Sequence, residues 1–243
     1  MKEILLEIGT NITEVLGVTK YEPAIPAQLA GKVKGNFPVF LKKTDEERIQ
    51  NMEWVLNEYK DEPFYVTEKL DGTSFTAYYN NGEFGICSRN FNLFETEENT
   101  HWRVARELKL EEKLKEYGNN VSLQGELLGE GIQKNRYKLK GQTVYFFNIF
   151  NIDTYEYFDY KMFSNRLFEM GLKSVPVISP IEGYFLPETV QELLEYSQGK
   201  SQLNPEQERE GIVLRPFRNI VHPKYGRISF KVISNKYLLK YEE

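Results

Sequence analysis

Lys69 stands in the stretch Glu68-Lys69-Leu70-Asp71-Gly72-Thr73-Ser74, between the β-branched, aromatic run Phe64-Tyr65-Val66-Thr67 and a second run, Phe75-Thr76-Ala77-Tyr78-Tyr79. A lysine amine attacks phosphorus or carbonyl centres only as the free base, and an ordinary pKa of about 10.4 leaves little of that form at neutral pH. Desolvation or nearby positive charge increases it. The flanking carboxylates Glu68 and Asp71 act in the opposite sense unless they point elsewhere or hold a cation. Successive strand residues face opposite sides of a sheet, so Glu68 need not pair with Lys69. Taken alone, Lys-x-Asp-Gly is most often a solvated lysine at a strand end.

Other residues along the chain change that reading. Cys87-Ser88-Arg89-Asn90 ends a strand returning from Asn80-Asn81-Gly82, a strong tight-hairpin signal. Such a hairpin carries Arg89 back alongside Gly72, within reach of a phosphate held at Lys69. Gln124-Gly125-Glu126 sets a carboxylate in an apolar strand, where burying it unpaired is costly. Tyr145-Phe146-Phe147-Asn148-Ile149-Phe150 offers aromatic faces on which a base can stack. Glu210-Gly211-Ile212-Val213-Leu214-Arg215 and Phe230-Lys231-Val232-Ile233 then place an acid and a lysine on two late strands. Singly, each has a plainer reading: Arg89 as a surface ion-pair residue, the aromatics as core, Glu126 and Glu210 as lysine partners.

The elements that must position these residues are legible in outline. Residues 21–38 are rich in proline and glycine and read as an extended connection. Thr44-Asp45-Glu46-Glu47 matches a capping box opening a helix, with Ile49, Met52, Val55, Leu56 and Tyr59 as its apolar face. Strands are expected at 64–69, 73–79, 83–89, 121–128, 143–150, 211–215 and 228–233. Helices are expected at 100–117, stopped by Gly118, at 160–170 and at 187–198. This order points to an α+β fold of mostly antiparallel sheets flanked by helices.

Composition bounds the partners. The chain has 243 residues, 40% hydrophobic and 28% charged, a folded rather than disordered balance. No apolar run approaches the roughly 20 residues of a membrane span, and Glu3 and Glu7 interrupt the N-terminal apolar stretch that a signal peptide needs. The single cysteine, Cys87, leaves no internal disulfide and fits an intracellular, reducing compartment. His101 and His222 are the only histidines, which argues against a structural zinc site. A net charge of −5 does not favour nucleic acid as a whole-domain partner, but residues 134–140 and 215–231 are locally basic.

The ordered series KLDG, SRN, a Gly-Glu strand, FFNIF, EGIVLR and FKVI resembles the covalent nucleotidyltransferases, the superfamily of polynucleotide ligases and RNA capping enzymes. The resemblance runs from about residue 40 to residue 236, and implies a nucleotidyltransferase (ATP-grasp-like ligase) fold. Only twelve residues follow Lys231, too few for the OB domain that follows this motif in DNA ligases and capping enzymes. That ending is similar to phage RNA ligase 2, and the phrase YEPAIPAQLAGKVKGNFPVFLKKTDEERIQN resembles the Deinococcus-type nick-sealing RNA ligases. The expectation is an adenylyltransferase domain over 21–243, with 1–20 a linker or the end of a missing N-terminal OB domain.

The resemblance also implies roles. Lys69 takes AMP from ATP; Arg89 binds phosphate and later the RNA 5′-phosphate; Glu126 and Asp71 contact the ribose or a metal shell. Phe147 stacks on adenine, Glu210 helps hold Mg2+ or Mn2+ through water, and Lys231 lies on the α-phosphate. Glu68, Gly72 and, most remotely, Arg48 complete the nucleotide site. The metal set is Asp71, Glu126 and Glu210. The partner is RNA, nicked in a duplex with 5′-phosphate and 3′-hydroxyl ends, and no membrane. A DNA ligase, a capping guanylyltransferase or a non-catalytic nucleic-acid-binding relative are the alternatives. One departure stands out: the superfamily's Lys-x-Lys is here Lys231-Val232-Ile233, with Lys236 the next lysine along.

Overall fold

The computed structural model describes Leu16, Gly17, Leu29 and residues 31–118 and 120–241. Apart from Leu16 and Gly17, the expectation for residues 1–20 lies outside them. In chain order the first strands are β1 (Val33–Asn36), β2 (Glu47–Arg48), β3 (Phe64–Lys69), β4 (Thr73–Asn80), β5 (Glu83–Cys87), β6 (Phe91–Leu93) and β7 (Val121–Gly129). After them come β8 (Gln142–Asn151), β9 (Glu156–Tyr157), β10 (Gly211–Pro216), β11 (Val221–His222), β12 (Gly226–Arg227) and β13 (Phe230–Ile233). The helices are α1 (Trp54–Glu58), α2 (Thr100–Glu107), α3 (Leu110–Tyr117), α4 (Tyr160–Glu169), α5 (Val190–Ser197) and α6 (Asn235–Tyr241).

Two sheets organise the chain. One has seven strands in the order β1-β6-β5-β4-β7-β8-β9, the other four in the order β2-β13-β10-β3. Among the described pairs within them only β13–β2 is parallel, so the α+β, mostly antiparallel architecture expected from the sequence is what forms. The first sheet buries Phe75, Ala77, Leu123, Leu127 and Phe146 against Leu110 and Leu114 of α3 and Leu167 of α4. The second buries Val66, Ile212, Leu214, Phe230 and Val232 against Ile49, Val55 of α1 and Leu193 of α5. Lys69 ends β3 in one sheet and Thr73 begins β4 in the other, so Leu70-Asp71-Gly72 is the joint between them.

The turn at Asn80-Asn81-Gly82 forms as its residues require, with Asn81 at φ 50° and Gly82 at φ 85°, the left-handed pair that suits the twist of a two-residue hairpin. Three expectations are corrected. Thr44 caps no helix: Glu47 and Arg48 run as strand β2 beside β13, pairing with Phe230 and Lys231, and α1 starts only at Trp54. That strand addition outweighs a local pattern that, read alone, suits a helix. The helix expected at 100–117 is two, broken where Lys109 adopts φ 53°. The last helix before β10 begins later than expected, at Val190, under a capping box made by Thr189 and Glu192.

Candidate active site

Sheet register places the two lysines. On β10, Gly211 pairs with Lys69 of β3, and Val213 pairs with Thr67 on one side and Lys231 of β13 on the other. The period of two along a strand then puts Thr67, Lys69, Val213 and Lys231 on one face, where they line a cavity of about 160 Å3. Leu70, Val175 and Val213 supply its apolar wall, and Phe147 and Arg215 close it. Phe147 reaches it through a bulge. Gln124 pairs with Asn148 but Gly125 pairs with Phe146, so Phe147 is the extra residue on β8. Its neighbour Phe146 is wholly buried in the main core. Bulges of this kind re-aim side chains beside binding sites.

Lys69 Nζ donates to Glu210 Oε1 at 2.6 Å. The other oxygen of Glu210 is buried without a partner, and burial raises the pKa of this carboxyl while Lys69 pulls it back. Glu126 behaves alike: burial pushes its carboxyl up to about 7 against the pull of Lys69, with Glu210 adding to the rise. Its Oε1 accepts the Gly72 N–H at 3.2 Å. Gly72 is glycine for want of room, since a Cβ there meets Leu128 Cδ2 at 2.4 Å and the Leu127 carbonyl oxygen at 2.5 Å. Its part in the site is this close approach of backbone to Glu126.

Positive charge gathers at the mouth. Burial, then Lys69, Arg48 and Arg89 all lower the pKa of Lys231. Arg48 pairs in register with Lys231 across β2–β13 and stands beside the cavity rather than in its wall. Arg89 lines the cavity and pairs with Asp45 at 2.6 Å, its side chain 66% exposed.

Glu68 is buried on the opposite face from Lys69, as the alternation of a strand requires. Its Oε2 accepts the Gln202 N–H at 2.8 Å while Oε1 has no partner, and burial raises its pKa. Asp71 is turned away. Its carboxylate receives Arg136 Nε at 2.8 Å and the Tyr237 hydroxyl at 2.5 Å, and its N–H donates to the Tyr137 hydroxyl at 2.7 Å. The structure therefore does not gather Asp71, Glu126 and Glu210 into one three-carboxylate metal site, and among the described residues no other such cluster occurs. Glu126 and Glu210 remain together around Lys69.

Sequence reasoning missed Glu46. It pairs with Arg215 at 2.7 Å with both groups buried, and Arg215 in turn lies 5.7 Å from the centre of the Phe147 ring. The available signal was an arginine ending the apolar run of β10; its partner was hidden in the stretch that reads as a helix cap. The basic stretches are only partly surface. Arg136 and Arg215 point inward, Lys138 pairs with Glu206 and Arg218 with Glu62.

The RNA ligase family model matches residues 62–233, the span holding β3, β7, β8, β10 and β13 of the site. Comparison with curated proteins gives no match. Among solved structures, the chain is 39% identical to a Naegleria gruberi RNA ligase with pyrophosphate, at a TM-score of 0.79 over 97% of this chain and 68% of that one. A lysine-to-alanine variant of the Naegleria ligase with ATP and manganese superposes at a TM-score of 0.80, 39% identical over 97% and 69% of the two chains. A lysine-to-methionine variant with AMP and manganese gives 0.80, 39%, 97% and 68%. This chain, with its lysine and two carboxylates at the joint of two sheets, belongs to the RNA ligase family.

Proposed function

We propose that this RNA ligase joins ends through a covalent lysyl-AMP at Lys69, using ATP. The observation that carries the reading is the Lys69–Glu210 contact of 2.6 Å at the edge of a cavity that Lys231, Arg89 and Phe147 also line. In the first step the free amine of Lys69 attacks the α-phosphorus of ATP; a nitrogen–phosphorus bond forms, the nitrogen gives up a proton to solvent, and pyrophosphate leaves with the bonding electrons. An oxygen of an RNA 5′-phosphate then attacks the same phosphorus and releases Lys69, leaving an adenylylated end. The 3′-hydroxyl of the neighbouring end, losing its proton, attacks the 5′-phosphorus and AMP departs.

The chain's own residues match these demands. Phe147 and the wall of Leu70, Val175 and Val213 suit a flat base. Lys231, Arg89 and Arg48 offset the charge of two anionic reactants, the preorganised electrostatics on which phosphoryl transfer depends. The unpartnered Glu210 oxygen and the elevated Glu126 carboxyl fit a hydrated divalent cation. When bound, such a cation stabilises the charge developing on the phosphates. The Naegleria structures with ATP or AMP and manganese support the same nucleotide and metal here.

The finer substrate we propose is a nick in duplex RNA with 5′-phosphate and 3′-hydroxyl ends, read through backbone shape and 2′-hydroxyls rather than sequence. Its support is the likeness of residues 21–51 to nick-sealing ligases. Incubation with labelled ATP or GTP, followed by sealing assays on nicked and single-stranded RNA, tests the reading. Label is expected from ATP alone and sealing preferentially at the nick. Label from GTP, or equal joining of unpaired ends, contradicts it.

A further inference from the structure

On the far side of Thr44, Asp45 and Glu46, which form a shared wall with the Lys69 cavity, lies a second cavity of about 620 Å3. Lys69 and Lys231 line the first cavity and not the second. Its other walls are cationic and aromatic: Lys42, Arg227, Tyr155, Tyr157 and Tyr225. Lys42 Nζ stands 4.7 Å from the centre of the Tyr155 ring and 5.7 Å from that of Tyr157. The Arg227 guanidinium lies 3.9 Å from the Tyr157 ring centre and donates to Asn148 Oδ1 at 2.9 Å.

The neighbouring carboxylates are already engaged. Asp45 pairs with Arg89, Glu46 with Arg215, and Glu47 accepts from Asn51 and from the Arg48 N–H. Among the described residues neither Lys42 nor Arg227 forms an ion pair, and Glu156 is the carboxylate that faces Lys42 at longer range. Burial lowers the pKa of both, and Arg227 and Arg215 respectively add repulsion. Glu46, though paired with Arg215, draws on Arg227, and Glu156 on Lys42, so the two cations beside aromatic faces are only partly compensated, and an incoming phosphate offsets what remains. The rings are presented at a cost as well. Tyr155 is 47% exposed although its backbone sits at φ 58°, in the left-handed region that non-glycine residues rarely adopt. Tyr225 is 48% exposed and is braced by Trp54, stacked at 4.4 Å between ring centres.

We propose that this cavity binds one nucleotide of the RNA substrate, its base against the tyrosine rings and its phosphate on Lys42 and Arg227. The inference rests on the reading of the chain as an RNA ligase, and the shared wall sets the bound nucleotide next to the centre where AMP is transferred. Aromatic stacking with a cationic track is the general device for holding an unpaired nucleotide, so the base held here is one unstacked from the duplex at the nick.

The test uses Tyr155→Ala and Lys42→Met, the second keeping the apolar stem. Two measurements are made: the anisotropy of a labelled nicked RNA duplex over a salt series, and self-adenylylation by ATP without RNA. Tyr155→Ala is expected to weaken RNA binding roughly five-fold or more. Lys42→Met is expected to weaken it and to reduce the slope of log affinity against log salt by about one. Self-adenylylation and its ATP dependence stay as in the wild type, which shows that both variants fold. Unchanged RNA affinity in both variants overturns the inference, as does a changed ATP dependence, which would assign the cavity to the triphosphate. A wild type that seals RNA while the variants bind like it overturns this inference alone; a wild type that neither binds nor seals RNA overturns the ligase reading with it.

Discussion

Glu126 is a carboxyl kept at an uncomfortable place for the sake of its neighbours. Burial raises its pKa from the ordinary 4.5 to about 7, and a raised acid binds its proton more tightly folded than unfolded. Stability is then full below the unfolded pKa and falls as pH rises from about 4.5 to 7, because the folded chain must give up a proton it holds more firmly. Glu126→Gln keeps an acceptor for the Gly72 N–H and removes that penalty. Denaturant titrations are expected to show the variant more stable than the wild type by on the order of 1–3 kcal/mol at pH 8, with the gap closing toward pH 4. Adenylylation by the same variant falls. A gap that does not vary with pH contradicts the assignment of the shift to burial. For Lys231→Ala, which removes a cation from the cavity wall, single-turnover adenylylation is expected to slow by about 10²-fold or more, with the fold unchanged by circular dichroism.

At the scale of elements, Lys69 is held by a turn, and the turn is held from outside the cavity. Asp71 joins Arg136 of the 134–140 loop and Tyr237 of α6, while Arg136 also lies 4.1 Å from the Tyr241 ring centre. Tyr237→Phe removes one of these partners and keeps the ring. It is expected to cost about 1–3 kcal/mol in thermal or denaturant unfolding and to reduce the adenylylation rate more than the affinity for ATP; an effect on ATP affinity alone counts against a positioning role. Much of the element plan was readable. The β4–β5 hairpin announced itself through Asn81 and Gly82, whose backbone demands are local, and β3, β7 and β10 through their apolar runs. What was not readable depended on distant partners. Residues 44–48 carry the signature of a helix start, but β13, about two hundred residues along the chain, claims them as a strand. Neither the break at Lys109 nor the bulge that turns Phe147 toward the cavity leaves a mark in hydrophobic periodicity.

For the whole molecule, the site exists because two sheets with separate cores meet at Leu70-Asp71-Gly72, and each contributes part of it. Lys69, Glu210 and Lys231 belong with the four-stranded sheet, Glu126 and Phe147 with the seven-stranded one. Of the residues read from the sequence, Lys69, Arg89, Glu126, Phe147 and Lys231 line one cavity, and Glu210 reaches it through Lys69. Asp71 was legible as a neighbour of the lysine but not as the tie to α6, and the buried Glu46–Arg215 pair spans 169 positions that no local pattern connects. The claim on which the rest depends is that Lys69 carries AMP. Mass spectrometry of the protein after incubation with ATP and magnesium, followed by peptide mapping, measures it directly. The expected result is one added AMP on the peptide containing Lys69, absent from Lys69→Ala; an unmodified chain, or AMP on another lysine, contradicts the account.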